Sequence, residues 1–492
     1  MSIRTGLFAT IVVAALLASS DSATLPKFTI SPDTQATLDR ISASSMRGHL
    51  SFIASDQLEG RDTPSRGLDL AAEYIAAQFR RAGLEPVADG TYFQTAKMMV
   101  RTPNLDGFVL TLARGDQQFP AAPADVRINS STGLDVSRAV VIKADGDSEL
   151  PPESIAGRVI VAQLKHGRGL ARTLRGTKPA ALILIQREQS GPAEPYSRLI
   201  DTEEPPAPVS FPKILLRGAA AEKFYESLRS GPTGALATIH LAPPIEKTVE
   251  VRNVAGVLRG SDAALKDTYV LVTAHYDHLG VKPYGDGDRI YNGANDDGSG
   301  TVSVIELAGA LAQEKERPRR SIVFMTFFGE EEGLVGSRYY SHHPLFPAEK
   351  TVADINLEQM GRIDATEGRQ IATASPTGFG YTNLTDYFRA AGDQTGVKIN
   401  HSHRSDLYFE DSDNLSLAQI GVPAETLCVA FQFPDYHAVG DEWEKIDYDN
   451  MAKVDRMVAL SVLMIANNSE PPRWKESSAT APYVKARKAH HP

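Results

Sequence analysis

The sequence predicts an α/β protein. Three apolar runs, Tyr269–Val272, Ile322–Phe328 and Val352–Leu357, read as buried strands, and the helical-period run Thr301–Gln313 separates the first two. Each strand ends against a residue type that binds divalent cations, at His275, Glu330 and Glu358. Open α/β sheets place their sites at such strand ends. Ahead of this region, a block from about Val136 to Leu241 changes character and reads as a separate strand-rich module.

At 492 residues the chain is long enough for two or three domains. With 42% apolar and 23% charged residues it has the composition of an ordinary globular protein. A net charge of −10 argues against a nucleic-acid surface. The first 20 residues read as an export signal: Arg4, then the apolar run Leu7 to Leu17, then the small residues Ala18-Ser19-Ser20. That run is too short to span a bilayer comfortably, and no second run nears the ~20 residues a spanning helix needs. No cysteine follows it to carry a lipid. Cys428 is the single cysteine, in a strand-like run, and reads as a buried inert thiol. Export without disulfides suits a periplasmic or secreted protein.

Met46 to Leu58 and Gly67 to Ala82 read as helices, the second with Leu70, Tyr74, Ala77 and Phe79 at near-helical spacing and Gly83 as its stop. In the strand-rich block, Val140–Ile142, Val159–Ala162 and Ala181–Ile185 read as short strands. Pro192 to Pro208 reads as a Pro-rich loop, and Ala219 to Leu228 as a helix. The expected organisation is a signal over 1–20, a discontinuous domain over 21–130 and 246–469, an inserted module over 131–245, and a mobile polar tail over 470–492.

Five segments carry the chemistry. His275-Tyr276-Asp277 closes a strand. A His-x-Asp alone is more often a surface turn, but Asp277 can orient the His275 ring for a metal. His278 has no partner pattern and defaults to the surface reading. Gly293 to Gly300 is a sharp, glycine-rich turn whose Asp296 and Asp297 are either helix-capping acids or, for one of them, a bridge between two cations. Glu330-Glu331-Glu332 either complements a helix dipole or divides its labour, one acid binding metal and a neighbour moving protons. Glu358, ending a buried strand, needs a cationic partner. His437 follows Tyr436, whose hydroxyl is either packing or a donor to an oxyanion. Two imidazoles and several carboxylates from separate strand ends are what a two-metal hydrolase site requires.

In order and spacing these segments resemble the M28 family of metallopeptidases, the zinc aminopeptidases of the Vibrio and Streptomyces type. The likeness covers Leu58-Glu59-Gly60-Arg61 and most of Asn253 to Ala466. It implies a three-layer αβα sandwich around a mixed, mainly parallel sheet. The strand-rich block resembles a protease-associated domain. The resemblance implies two zinc ions per chain. His275 would sit on one zinc, Glu331 would bind one and Glu358 the other, His437 would be the last ligand, and Asp296, joined to Asp297 by a cis peptide, would bridge the two. Glu330 would be the general base, a register taken from Gly333-Leu334-Val335-Gly336-Ser337, and Tyr436 the oxyanion donor. The substrates implied are peptides with a free N-terminus. Two departures stand out. Glu358 occupies a position where the family usually has Asp, and the usual Ser-Asp-His appears as Ser412-Asp413-Asn414, with Ser405-Asp406-Leu407 competing for the same alignment. Relatives of the same type include one-zinc glutaminyl cyclases, carboxypeptidases and non-catalytic receptors. The filled ligand set argues against the last of these.

Overall fold

Strands Tyr269–His275 and Ser321–Phe327 are buried along their whole length, as strands covered on both faces must be. The computed structural model describes residues 28–490 except 89, 145–154, 175, 188–196, 204–210, 283–284 and 402. The expected export signal and most of the Pro-rich stretch lie outside the described residues. Tyr269–His275 pairs in parallel with Ser321–Phe327 on one side and Thr351–Glu358 on the other. Thr351–Glu358 pairs in parallel with Ala424–Cys428, and antiparallel strands Thr373–Pro376 and Gly231–Leu258 flank this parallel core. The sheet is mixed and mainly parallel, as expected.

Alternation along each strand divides its side chains between two helical layers. Val270, Val272, Ala274, Ile322 and Phe324 enter a core shared with helices Ala43–Ile53, Arg66–Ala82, Gly300–Leu311 and Tyr448–Asn467. Tyr269, Leu271, Val323, Met325 and Phe327 face the opposite way, onto Tyr340, Leu417, Trp474 and Tyr483. The helix expected over 67–82 runs from Arg66 to Ala82, with Ser65 capping Leu68 N–H and Gly83 at φ 76° ending it.

Three differences from the sequence reading have clear physical causes. The helix expected to reach Leu58 stops at Ile53, and the chain turns through Asp56–Arg61. There Glu59, Gly60 and Arg61 take φ of 48°, 68° and 51°. A Cβ on Gly60 would sit 2.5 Å from the carbonyl oxygens of Gly280 and Tyr291, so only glycine admits this approach. The inserted module begins earlier than 131. Strands Phe93–Arg114 and Gly231–Leu258 pair with each other and run from the first core into a second, which takes in Leu110, Leu112, Val126 and Ile128. Leu134–Lys143, Val159–Gln163, Ala181–Gln186 and Lys213–Arg217 complete the module's sheet. The strands are continuous, so no linker composition marks the boundary. The tail after Glu470, read as mobile, is instead packed. Trp474 Nε1 donates to Gly421 O at 3.0 Å, Tyr483 lies in the second helical layer, and Arg487 donates to Ala348 O and Thr351 O. Among the described residues, no helix is long and apolar enough to cross a membrane.

Glu425, fully buried in strand Ala424–Cys428, accepts hydrogen bonds from Thr382 and Thr385 hydroxyls at 2.6 and 3.1 Å. Burial pushes its pKa up to about 8. The folded protein therefore keeps a proton that the unfolded chain releases near pH ~4.3. The stability this confers is complete below that pH and is lost as pH rises through about 8. Glu425→Gln should leave the urea midpoint at pH 4 almost unchanged and raise it above wild type at pH 9. Equal midpoints at pH 9 would contradict the assignment.

Candidate metal centre

The loops after the parallel strands converge, and each delivers a predicted ligand. His275, the last residue of its strand, is 1% exposed, and Thr301 Oγ1 donates to its carbonyl at 2.6 Å. Its Nε2 lies 3.5 Å from Asp296 Oδ1 and 3.9 Å from Glu330 Oε2, and its Nδ1 lies 3.5 Å from Asp277 Oδ1. Asp277 is fully buried and accepts the backbone N–H groups of Glu330 and Glu331, fixing the acidic loop against the His275 strand.

The glycine-rich turn is held from two sides. Asp441 Oδ2 accepts the N–H groups of Asn295 and Asp296 at 2.9 and 3.1 Å. Asp297 Oδ1 accepts those of Gly300 and Gln359, each at 3.0 Å. The Asp296–Asp297 peptide is cis, as the resemblance implied. A Cβ on Gly300 would lie 2.3 Å from Leu357 O, so the turn meets the Glu358 strand closely because this residue lacks a side chain. Asp296 projects between two groups of side chains. His275, Asp296 and Glu358 form one, and His278, Asp296 and Glu331 the other, with ligand atoms in each group within 4.8 Å of one another. His437 Nε2 joins the second side, 3.0 Å from Asp296 Oδ2 and 3.4 Å from Glu331 Oε1. The Tyr436 ring stacks on His437 at 4.0 Å, and Phe433 meets it edge-on at 5.8 Å.

All eight residues singled out in the sequence thus gather here: His275, Asp277, Asp296, Glu330, Glu331, Glu358, Tyr436 and His437. Glu358 reaches the group despite its extra methylene. The competing alignments separate in space. Asp413 is fully buried within charge range of His275, Glu330 and Glu358, whereas Asp406 accepts Phe379 N–H and pairs with His401. Glu332 has Asp62, Asp277 and Glu331 as its charged neighbours and belongs to neither ligand group.

Electrostatics set the proton affinities. Burial pushes Glu358 and Asp413 each up to about 7 and holds Glu330 well above the usual carboxylate range. Burial and Asp296 also oppose ionisation of Glu331, yet the His278 and His437 imidazoles draw it down to about 2. Burial opposes the charged form of His437 too, but Asp296 and Glu331 carry it up to about 10. Imidazoles and acids here share protons that a divalent cation would displace. Both His275 nitrogens, Asp296 Oδ2 and Glu331 Oε1 are buried without a hydrogen-bond partner. Nitrogen and carboxylate donors left unpaired around a shared aspartate fit zinc.

Two residues beneath the centre went unassigned in the sequence. Asp441 anchors the turn, and Arg61 anchors three segments. Arg61 is fully buried, and its guanidinium donates to the carbonyls of Ile53, Tyr276, Asn292 and Gly293 at 2.6, 2.8, 2.7 and 2.9 Å. Burial lowers its pKa to about 10, so it stays charged, with Asp277, Asp441, Asp297 and Asp296 nearby. His278 also differs from its surface reading: it is 1% exposed.

Comparison with known proteins agrees with this geometry. Residues 253–462 match the model of peptidase family M28. A probable zinc metalloprotease from Pyrenophora tritici-repentis is 31% identical over 153 residues, covering 30% of this chain and 34% of its own. A vacuolar membrane protease from Coccidioides posadasii is 35% identical over 128 residues, covering 24% of this chain and 12% of its own. The chain thus spans well under half the length of either curated relative. Among solved structures, an aminopeptidase from Aneurinibacillus sp. strain AM-1 superposes with TM-score 0.61 at 19% identity, over 90% of this chain and 97% of that one. A zinc aminopeptidase from Bacillus subtilis superposes with TM-score 0.56 at 18% identity, over 86% and 95%. At these identities the superpositions establish the shared α/β fold.

Arg61→Met should destabilise the chelator-treated protein by about 3–5 kcal/mol in urea unfolding, because four buried carbonyls lose their donor and the nearby acids their counter-charge. Arg61→Lys should recover only part of this, having fewer donors in a different geometry. A midpoint unchanged in both variants would mean that Arg61 does not anchor these segments.

Proposed function

We propose that the chain is an exported two-zinc aminopeptidase that removes N-terminal residues from peptides. The observation that carries this reading is Asp296, shared between two separate sets of ligand atoms. His275, Asp296 and Glu358 would hold one zinc, and Asp296, Glu331 and His437 the other. When bound, zinc lowers the pKa of coordinated water toward neutrality and polarises a carbonyl.

Glu330 belongs to neither ligand set and lies 3.9 Å from His275 Nε2. It takes the proton of the attacking water and returns it to the leaving amine. Its burial among Glu331, Glu358 and Asp413 raises its proton affinity, the direction a base requires. Asp277 orients His275 and holds the Glu330 loop, so one carboxylate sets both the ligand and the base. Tyr436 donates to the developing oxyanion; burial and the surrounding carboxylates keep its hydroxyl protonated. The uncommitted acidic oxygens would receive a substrate ammonium, which restricts cleavage to free N-termini. We read the insert as a protease-associated-type module and the first 20 residues as the export signal. Protein recovered outside the cytoplasm should therefore begin near Asp21, by N-terminal sequencing, and an intact Met1 would remove the export reading.

Two ligand sets favour this reading over a one-zinc cyclase. The test is amino-acid release from paired free and N-acetylated peptides, with zinc and with chelator. Release should come from free N-termini alone, stop on chelation and return with zinc. Glu330→Gln should lower kcat by roughly 10²–10⁴ while zinc content stays at wild type. Release from the C-terminus, or ammonia from N-terminal Gln, would replace the assignment.

A further inference from the structure

His278 is the buried group that the proposed reaction leaves without a task. It directly follows Asp277 and is 1% exposed. Its Nδ1 lies 2.8 Å from Glu331 Oε1, and its nearer nitrogen is within 4.8 Å of an Asp296 oxygen. Its ring meets that of His437 edge-on, with centroids 5.7 Å apart. Four potential donors, two imidazoles and two carboxylates, therefore surround the same small volume.

Two simpler roles fit less well. A buried histidine satisfied within the core would have partners for its nitrogens, yet neither nitrogen of His278 makes a hydrogen bond. A histidine that merely steers Glu331 would aim a ring N–H along the line to the carboxylate. The 2.8 Å contact lies off that line, and Glu331 Oε1 likewise finds no hydrogen-bond partner. Two donor atoms that close, neither in a well-aligned hydrogen bond, suit two ligands of one cation. At a metal–ligand length of about 2.1 Å a tetrahedral angle needs a separation of ~3.4 Å, so the two atoms would part by about half an ångström on binding zinc.

The ring is also held in place. The His278 N–H donates to Arg61 O at 3.3 Å. Behind it, a Cβ on Gly293 would fall 2.5 Å from His278 Cγ and Cδ2, so the glycine-rich turn presses directly on the imidazole. Rotation away from Asp296 and Glu331 would require that turn to move.

We propose that His278 is a fourth protein ligand, with Asp296, Glu331 and His437, to the cation on that side of the centre. The proposal rests on the two-zinc reading and adds an asymmetry to it. One zinc would have four protein side chains and the other three. Sites closed by four protein ligands are the kind used for structure, whereas sites with three keep a position open for water and substrate. The exchangeable, substrate-facing zinc is then the one on His275 and Glu358.

A crystal structure of the zinc-loaded full chain, with the ions located by anomalous scattering, reads the bond directly and needs no variant. The expected result is a His278 nitrogen about 2.0–2.1 Å from the zinc on Asp296 and Glu331. Two zinc ions with both His278 nitrogens beyond about 3 Å would overturn the proposal and leave the aminopeptidase reading standing. No zinc on either ligand set would overturn that reading, and this one with it. In solution, metal content followed during chelation should fall in two phases for wild type, one ion leaving well before the other. His278→Ala should lose the slow phase and bind its second zinc more than roughly 100-fold more weakly, beyond the loss an outer partner causes. A variant that retains both phases at wild-type rates would likewise overturn the ligand assignment.

Discussion

Four backbone carbonyls converge on one buried guanidinium, and much of the centre depends on that convergence. Arg61 binds the end of helix Ala43–Ile53, the segment leaving His275, and the start of the Asp296 turn. These pieces come from distant parts of the sequence, and each would otherwise bury an unpaired acceptor. The same group puts a permanent positive charge beneath Asp277, Asp296, Asp297 and Asp441. Acids so thoroughly removed from water are costly unless cations stand near. Arg61 supplies one such charge from below.

The parallel sheet explains why the donors meet. Strands Tyr269–His275, Ser321–Phe327 and Thr351–Glu358 run side by side in one direction, so their following residues emerge at one edge. Backbone-to-carboxylate bonds then set each loop. Asp277 captures the acidic loop, Asp297 joins the turn to Gln359, and Asp441 ties the turn to the segment bearing His437. These loops are thus located by acids that stand outside the two candidate ligand groups.

Much of this was legible in the sequence, for a simple reason. A His or Glu ending an apolar run contradicts its surroundings, and His275, Glu330 and Glu358 announced themselves that way. The same runs marked three of the sheet's parallel strands. His278 was hidden because its burial depends on Gly293 and Arg61, neither adjacent in sequence. The insert's edge was hidden because one pair of strands serves two cores, leaving no polar break near Arg114. The tail misled because its composition is polar on average, while a few residues, Trp474, Tyr483 and Arg487 among them, provide its anchorage.

The paired strands Phe93–Arg114 and Gly231–Leu258 also bear on how the chain reaches this state during synthesis. Phe93 must find Val254, a partner made long after it. A loop of that length closes slowly if it stays open chain. The second core lies inside the loop, and its contacts, such as Leu112 with Ala237, bring the two strands together at their far end first. Pairing can then advance along the ladder toward Val254 like a closing zipper. The insert would so act as an internal template for the sheet beside it.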